Sequence, residues 1–245
     1  PTHGQPGRFI RPRRAVVLLE EFGVAPHLTP AENALRITKC LNALTDGQNL
    51  RQLSDEIQSE KVSKTAASRN NHLELRLKAV GRVALAFVAV ENSPGVQVSG
   101  RLDADNNEGI VLYMRNCPGA VCGRDLWLGN IQSVTALSAG LFMRDCDESE
   151  VRCTVENIYA ESSAARGIMI SDQTIKKNTS TIAPTVKNII SDNDVGDGDG
   201  LYAEYTTEGY IGGLKIVGGH YEDCNKRYIK VDSPRPTIAV TTGGS

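Results

Sequence analysis

The sequence predicts an all-β fold, a parallel β-helix whose N-terminal end is closed by an α-helix. Three observations carry this. A strand ending in a polar turn recurs along the chain, as Leu112-Tyr-Met-Arg-Asn-Cys117 and again as Leu141-Phe-Met-Arg-Asp-Cys146, 29 residues later. A second short apolar element with alternating residues precedes each copy: Val96 and Val98, then Val151, Cys153 and Val155, then Val186, Asn188 and Ile190, then Leu214 and Ile216. Only one stretch, near residues 30–46, has a clear helical signature. Short strands at near-constant spacing, with no heptad and no helix-turn-helix pattern, suit a solenoid whose coils cannot bury their inner faces alone.

Taken in order, residues 1–15 form a basic arm carrying Arg8, Arg11, Arg13 and Arg14. Val16 to Leu19 reads as a strand. Thr29 is a good N-cap, Pro30 fits the first helical position and Glu32 completes a capping box. Ala34, Ile37, Leu41 and Leu44 then share one face, and Gly47 supplies a stop. Residues 50–65 fit either a helix or short strands. From Leu73 the apolar residues alternate with charged ones, the pattern of a strand with one buried face.

Weaker copies of the repeated strand begin at Ile168, Leu201 and Tyr228, and a glycine precedes most of the copies, strong and weak, as at Gly140, Gly167 and Gly200. Equivalent side chains of stacked coils should form ladders about 4.8 Å apart, Cys117 with Cys146 among them. The helix then covers the open edge of the first coil. The solenoid spans 16–233, and 234–245 reads as a tail.

Composition narrows the function classes. A formal charge of −2 argues against a nucleic-acid binder, because phosphate contact needs clustered Lys and Arg. The longest apolar run, Val83 to Val90, is far short of the roughly 18–20 residues that span a bilayer, so no membrane insertion is expected. No apolar signal segment opens the sequence. The six cysteines lack zinc-knuckle spacing and sit against strand-like runs, which reads as reduced, buried thiols and folding in a reducing compartment.

The order of parts resembles the pectate-lyase-like right-handed β-helix superfamily, and within it the tailspike and appendage proteins of bacteriophages. Glu21-Phe-Gly-Val24, the capped helix from Thr29, and the repeats GIVLYMRNC, GLFMRDC, RGIMISDQ and GDGLYAEY carry the resemblance. It implies right-handed coils, a homotrimer, other virion tail proteins as partners, and a bacterial surface polysaccharide as ligand. It also implies folding in the host cytoplasm and action outside the cell, on the virion. Polygalacturonases of the same fold resemble N-x-D, D-D, G-H-G and R-x-K in order. This chain has Asn193-Asp194, Asp197-x-Asp199, Gly218-Gly219-His220 and Arg227-x-x-Lys230, so every spacing departs.

The chemistry-bearing residues cluster late. Asp192, Asp194, Asp197, Asp199 and Glu204 are the candidate catalytic carboxylates, since glycoside hydrolysis needs two such groups about 5–9.5 Å apart. A calcium turn or a solvated Gly-Asp turn accounts for the same stretch. The EF-hand pattern is not matched, and no metal or cofactor is predicted. Trp127, Tyr202, Tyr205, His220 and Tyr221 are the candidate sugar-binding side chains. Strand alternation points Leu126 and Leu128 inward and Trp127 outward. Two functions follow: glycan binding or a structural virion role, and polysaccharide depolymerisation by carboxylates of 192–204.

Overall fold

The computed structural model describes residues 15–81, 85–134, 137–172, 178–192, 198–205, 212–217, 219–225, 227–232 and 237–241. They build a parallel β-solenoid of about six coils with one α-helix at its N-terminal end. All strand pairings within it are parallel.

Each coil contributes to two sheets. A seven-stranded sheet stacks Val62–Lys64, Ala86–Glu91, Ile110–Arg115, Ser138–Arg144, Ala165–Asp172, Gly198–Tyr205 and Arg227–Asp232. A thirteen-stranded sheet forms the rest of the wall. Its longer members include His72–Ala79, Gln97–Asn107, Val121–Ser133, Thr154–Ala160 and Thr185–Ser191. Thr237–Thr241, in the stretch read as a tail, pairs with Gly212–Val217 in this sheet.

The interior is made of ladders, because in-register stacking places like positions over one another. Val62, Val88, Leu112, Leu141, Ile168, Leu201 and Ile229 form one column through seven strands. Leu77, Leu102, Leu128, Val155 and Val186 face it from the other sheet, all fully buried. The sequence period places Tyr228 over Leu201, but Ile229 is the true partner and Tyr228 is exposed. A spacing count cannot resolve one residue, whereas the pleat does so by sending neighbours to opposite faces.

The recurring glycines have a steric cause. A Cβ at Gly140 would strike Val155, one at Gly167 would strike Val186, and one at Gly200 would strike Tyr221. The two walls approach each other there too closely for any side chain.

The helix Pro30–Ala43 has the expected capping box, with the Glu32 amide donating to Thr29 Oγ1 at 3.3 Å and the Thr29 amide to Glu32 Oε2 at 3.0 Å. It stops before Gly47, because Leu44 turns to an extended conformation and is buried. Gly47, at φ +72°, belongs to the turn beyond. Residues 50–65 resolve into short strands. The helix fits the edge of the first coil chemically as well as sterically. Asn33 Nδ2 donates to the Gln58 carbonyl at 3.1 Å and Asn42 Nδ2 to the Ser63 carbonyl at 2.9 Å. Asn42 Oδ1 accepts from the amides of Thr65 and Ala66 at 2.8 and 2.7 Å. These side chains satisfy backbone groups that another coil would otherwise pair.

All six cysteines are free thiols, five of them buried. Cys117 and Cys146 stack as the repeat implies, each thiol donating to a carbonyl two residues back, Arg115 and Arg144, at 3.2 Å. Burial pushes the Cys40 and Cys153 thiols up to about 12, so neither is a nucleophile near neutral pH. Lys64 is also buried, its ammonium donating to the Ala66 carbonyl and to Ser68 Oγ, both at 2.7 Å.

Candidate functional site

The described members of the predicted carboxylate set, Asp192, Asp199 and Glu204, sit in different settings. Asp194 and Asp197 lie outside the described residues. Asp199 and Glu204 share the strand Gly198–Tyr205, five residues and so about 16 Å apart along it. Asp199 is fully buried and bonded to Arg227 Nε at 3.0 Å. Asp192 follows a different strand, is exposed, and accepts a 2.6 Å hydrogen bond from the Tyr159 hydroxyl.

The predicted aromatics occupy separate places. Trp127 faces outward between buried Leu126 and Leu128, as alternation requires. Its ring is covered, with the Arg101 guanidinium carbon 3.7 Å from the ring centroid. Its indole N–H donates to Glu156 Oε2 at 3.1 Å. His220 lies on the same outer row three coils away, through Thr154 and Thr185, and contacts Glu222 at 3.2 Å. Tyr202 sits on the other sheet under Arg166, whose guanidinium carbon is 3.5 Å from the ring centroid. Tyr221 packs against the core beside Gly200. Tyr205 pairs through its backbone with Asp172, and its side chain is outside the described set. His220 and the Arg227/Lys230 pair of the polygalacturonase-like order fall on different sheets.

A more coherent site lies at one corner of the solenoid. Asn130, Asn157 and Asn188 each take a left-handed backbone, at φ 59°, 59° and 55°. Asparagine tolerates this conformation better than most residues, and here its amide is used as well. Asn188 Nδ2 donates to Asn157 Oδ1 at 2.9 Å, and Asn157 Nδ2 to Asn130 Oδ1 at 3.0 Å. Asn130 Nδ2 ends the ladder on the Asp103 carboxylate at 2.9 Å. Burial raises the pKa of Asp103, but hydrogen bonds from Asn130, the Asp105 amide and Arg101 outweigh it and hold the carboxyl below its ordinary value.

Beside this ladder runs a groove of about 280 Å³, lined by Gln132, Asn157, Tyr159, Asn188 and Ile190 among others. Gln132, Tyr159 and Ile190 stack in register over three coils, so the groove follows the solenoid axis. The two ladder amides that line the groove, Asn157 and Asn188, each keep a second N–H and a second lone pair for an outside partner. Tyr159 adds a ring face. Its hydroxyl, bonded to Asp192, is pushed above its ordinary pKa by that carboxylate.

No family model, curated protein or solved structure matches the chain. Comparison therefore adds nothing to the solenoid architecture, and the chemistry rests on the geometry alone.

Among the described predicted carboxylates, Asp192 is tied to this groove through its bond to Tyr159. The asparagine ladder beside it was visible in the sequence only as period: Asn130, Asn157 and Asn188 recur 27 and 31 residues apart. Among the described residues no group of three His, Cys, Asp or Glu side chains is placed to hold a metal ion.

Proposed function

We propose that this chain is a pectate-lyase-like, right-handed β-helix of a bacteriophage tail appendage that binds a bacterial surface polysaccharide along the corner groove. The supporting observation is the alignment of Gln132, Tyr159 and Ile190 with the amide ladder over three coils. That gives a strip about 10 Å long, repeating at about 4.8 Å, in which hydroxyl partners and a ring face alternate. A linear polymer of sugars meets such a strip at successive units. The same reading takes other tail proteins as partners, a homotrimer as the assembly and the virion as the site of action.

Asp192 favours a second reading, a depolymerase that uses this carboxylate at the groove rim. The discriminating experiment incubates the protein with purified capsule and O-antigen polysaccharides. Retention on the polymer without new reducing ends or unsaturated uronates supports the binder. Product formation that disappears in Asp192→Asn supports the depolymerase. If no polysaccharide is retained or cut, both readings fail.

A further inference from the structure

The charges around the groove are one-sided. The amide of Asp192 donates to the Ala160 carbonyl at 3.0 Å, and that of Glu161 to the Ser133 carbonyl at 2.9 Å. The parallel ladder therefore continues past the strand ends and stacks Asp192 on Glu161, one coil apart at about 4.8 Å. Both side chains are exposed beside Tyr159. Along the three coil segments that form the groove, 129–134, 156–161 and 187–192, the acids are Glu156, Glu161 and Asp192, and the sole cation is Lys187. Lys187 is engaged by Glu222 at 3.3 Å. On the two coils below, the cations Arg101 and Lys78 are engaged by Asp103 at 2.9 Å and Asp105 at 3.0 Å. No guanidinium or ammonium among the described residues is left facing the groove.

Resting on the binding reading, we infer that the groove takes an uncharged glycan, with Asp192 and Glu161 accepting its hydroxyl protons and turning polyanionic glycans away. Carboxylates are strong acceptors for hydroxyl donors, and such charge-assisted bonds are roughly twice as strong as neutral ones. A uronate or sialate in the same position would bring a third negative charge to within a few ångströms of two others. At these separations each unit pair costs about 1 kcal/mol even in water, and a polymer presents several. Amide, tyrosine and isoleucine contacts are indifferent to this charge, so the two carboxylates set the selectivity while the ladder sets the fit.

The experiment is an array of purified bacterial surface polysaccharides, uncharged and uronate- or sialate-bearing, probed with the whole chain in EDTA at low salt. Wild type is expected to bind uncharged polymers at least about tenfold more tightly than acidic ones. Asp192→Asn combined with Glu161→Gln is expected to keep the melting temperature and bring the acidic polymers to within a few-fold of the uncharged ones. An acidic polymer bound by wild type in EDTA overturns the inference but leaves the binding reading intact. One bound only when calcium is added also overturns it, because the carboxylate pair would then be a cation bridge. Unchanged selectivity in the double variant removes these two residues from the role. Absence of any bound polymer overturns the binding reading as well.

Discussion

Two corners of the solenoid turn the chain with the same device and surround it differently. At the first, Asn92 and Asn116 are left-handed and joined by a 2.8 Å amide bond, and each is followed by a Pro-Gly pair, Pro94-Gly95 and Pro118-Gly119. At the second, Asn130, Asn157 and Asn188 form a longer ladder that ends on a carboxylate. Each corner has a groove, about 340 Å³ at the first and about 280 Å³ at the second. Prolines, Ser68 and an Asp46–Arg69 pair of opposite charge line the first, with no aromatic ring. Tyr159 and Ile190 line the second. The amide ladder is thus a turn-holding device common to both. What sets the second corner, the proposed binding surface, apart is the outward row that follows the asparagines along the strand.

The largest expected effect separates the two ladders by stability. Asn157→Ala removes two ladder bonds and forces alanine into a left-handed backbone, for a loss of about 2–4 kcal/mol. Asn116→Ala removes one such bond at an equally strained position, for about 1–3 kcal/mol. Urea denaturation of both variants checks this, and equal losses would make the corners equivalent.

Acid sharpens the contrast next. The Asp103 carboxyl has a folded pKa below its unfolded value. Its contribution is therefore complete above the unfolded pKa of about 3.9 and fades as pH falls through the lower folded value. The melting temperature should drop as pH is lowered below about 4, and Asp103→Asn should melt lower at pH 7 with a flatter acid limb. Asn116→Ala should leave the shape of that limb unchanged.

The smallest effect concerns ligand rather than fold. Tyr159→Phe deletes an exposed hydroxyl and should not move the melting temperature. It should weaken retention on the bound polysaccharide by about two- to tenfold, the worth of one hydrogen bond. Pro118→Ala, at the other corner, should not change retention. A reversal of these two results would move the binding surface to the first corner.

Much of this fold is readable from periodicity because a solenoid repeats its core. Leu112 and Leu141 share a column, and so do Cys117 and Cys146, since one coil's length is the spacing between like residues. The glycines before the repeated strands were visible too, but their cause lies across the interior, in Val155, Val186 and Tyr221. The site was less legible. Alternation turns Trp127 outward, yet nothing local reveals that Arg101, on the preceding coil, lies over its ring. The dense Asp turn drew attention by composition, whereas Asn157 and Tyr159 carry no local motif. Their meaning comes from neighbours about 30 residues away that only the coil register brings together.

The polar side chains of the helix Pro30–Ala43 have a consequence for misassembly. A bare β-coil is a template on which a strand from another molecule can be laid, the first step of fibre growth. Asn33 and Asn42 already occupy backbone groups of the first coil, and the buried Lys64 ends an otherwise apolar column, Val90, Met114 and Met143, with a charge. An incoming apolar strand would have to displace the helix and then pack against a buried ammonium. The edge that the helix covers is therefore closed to seeding.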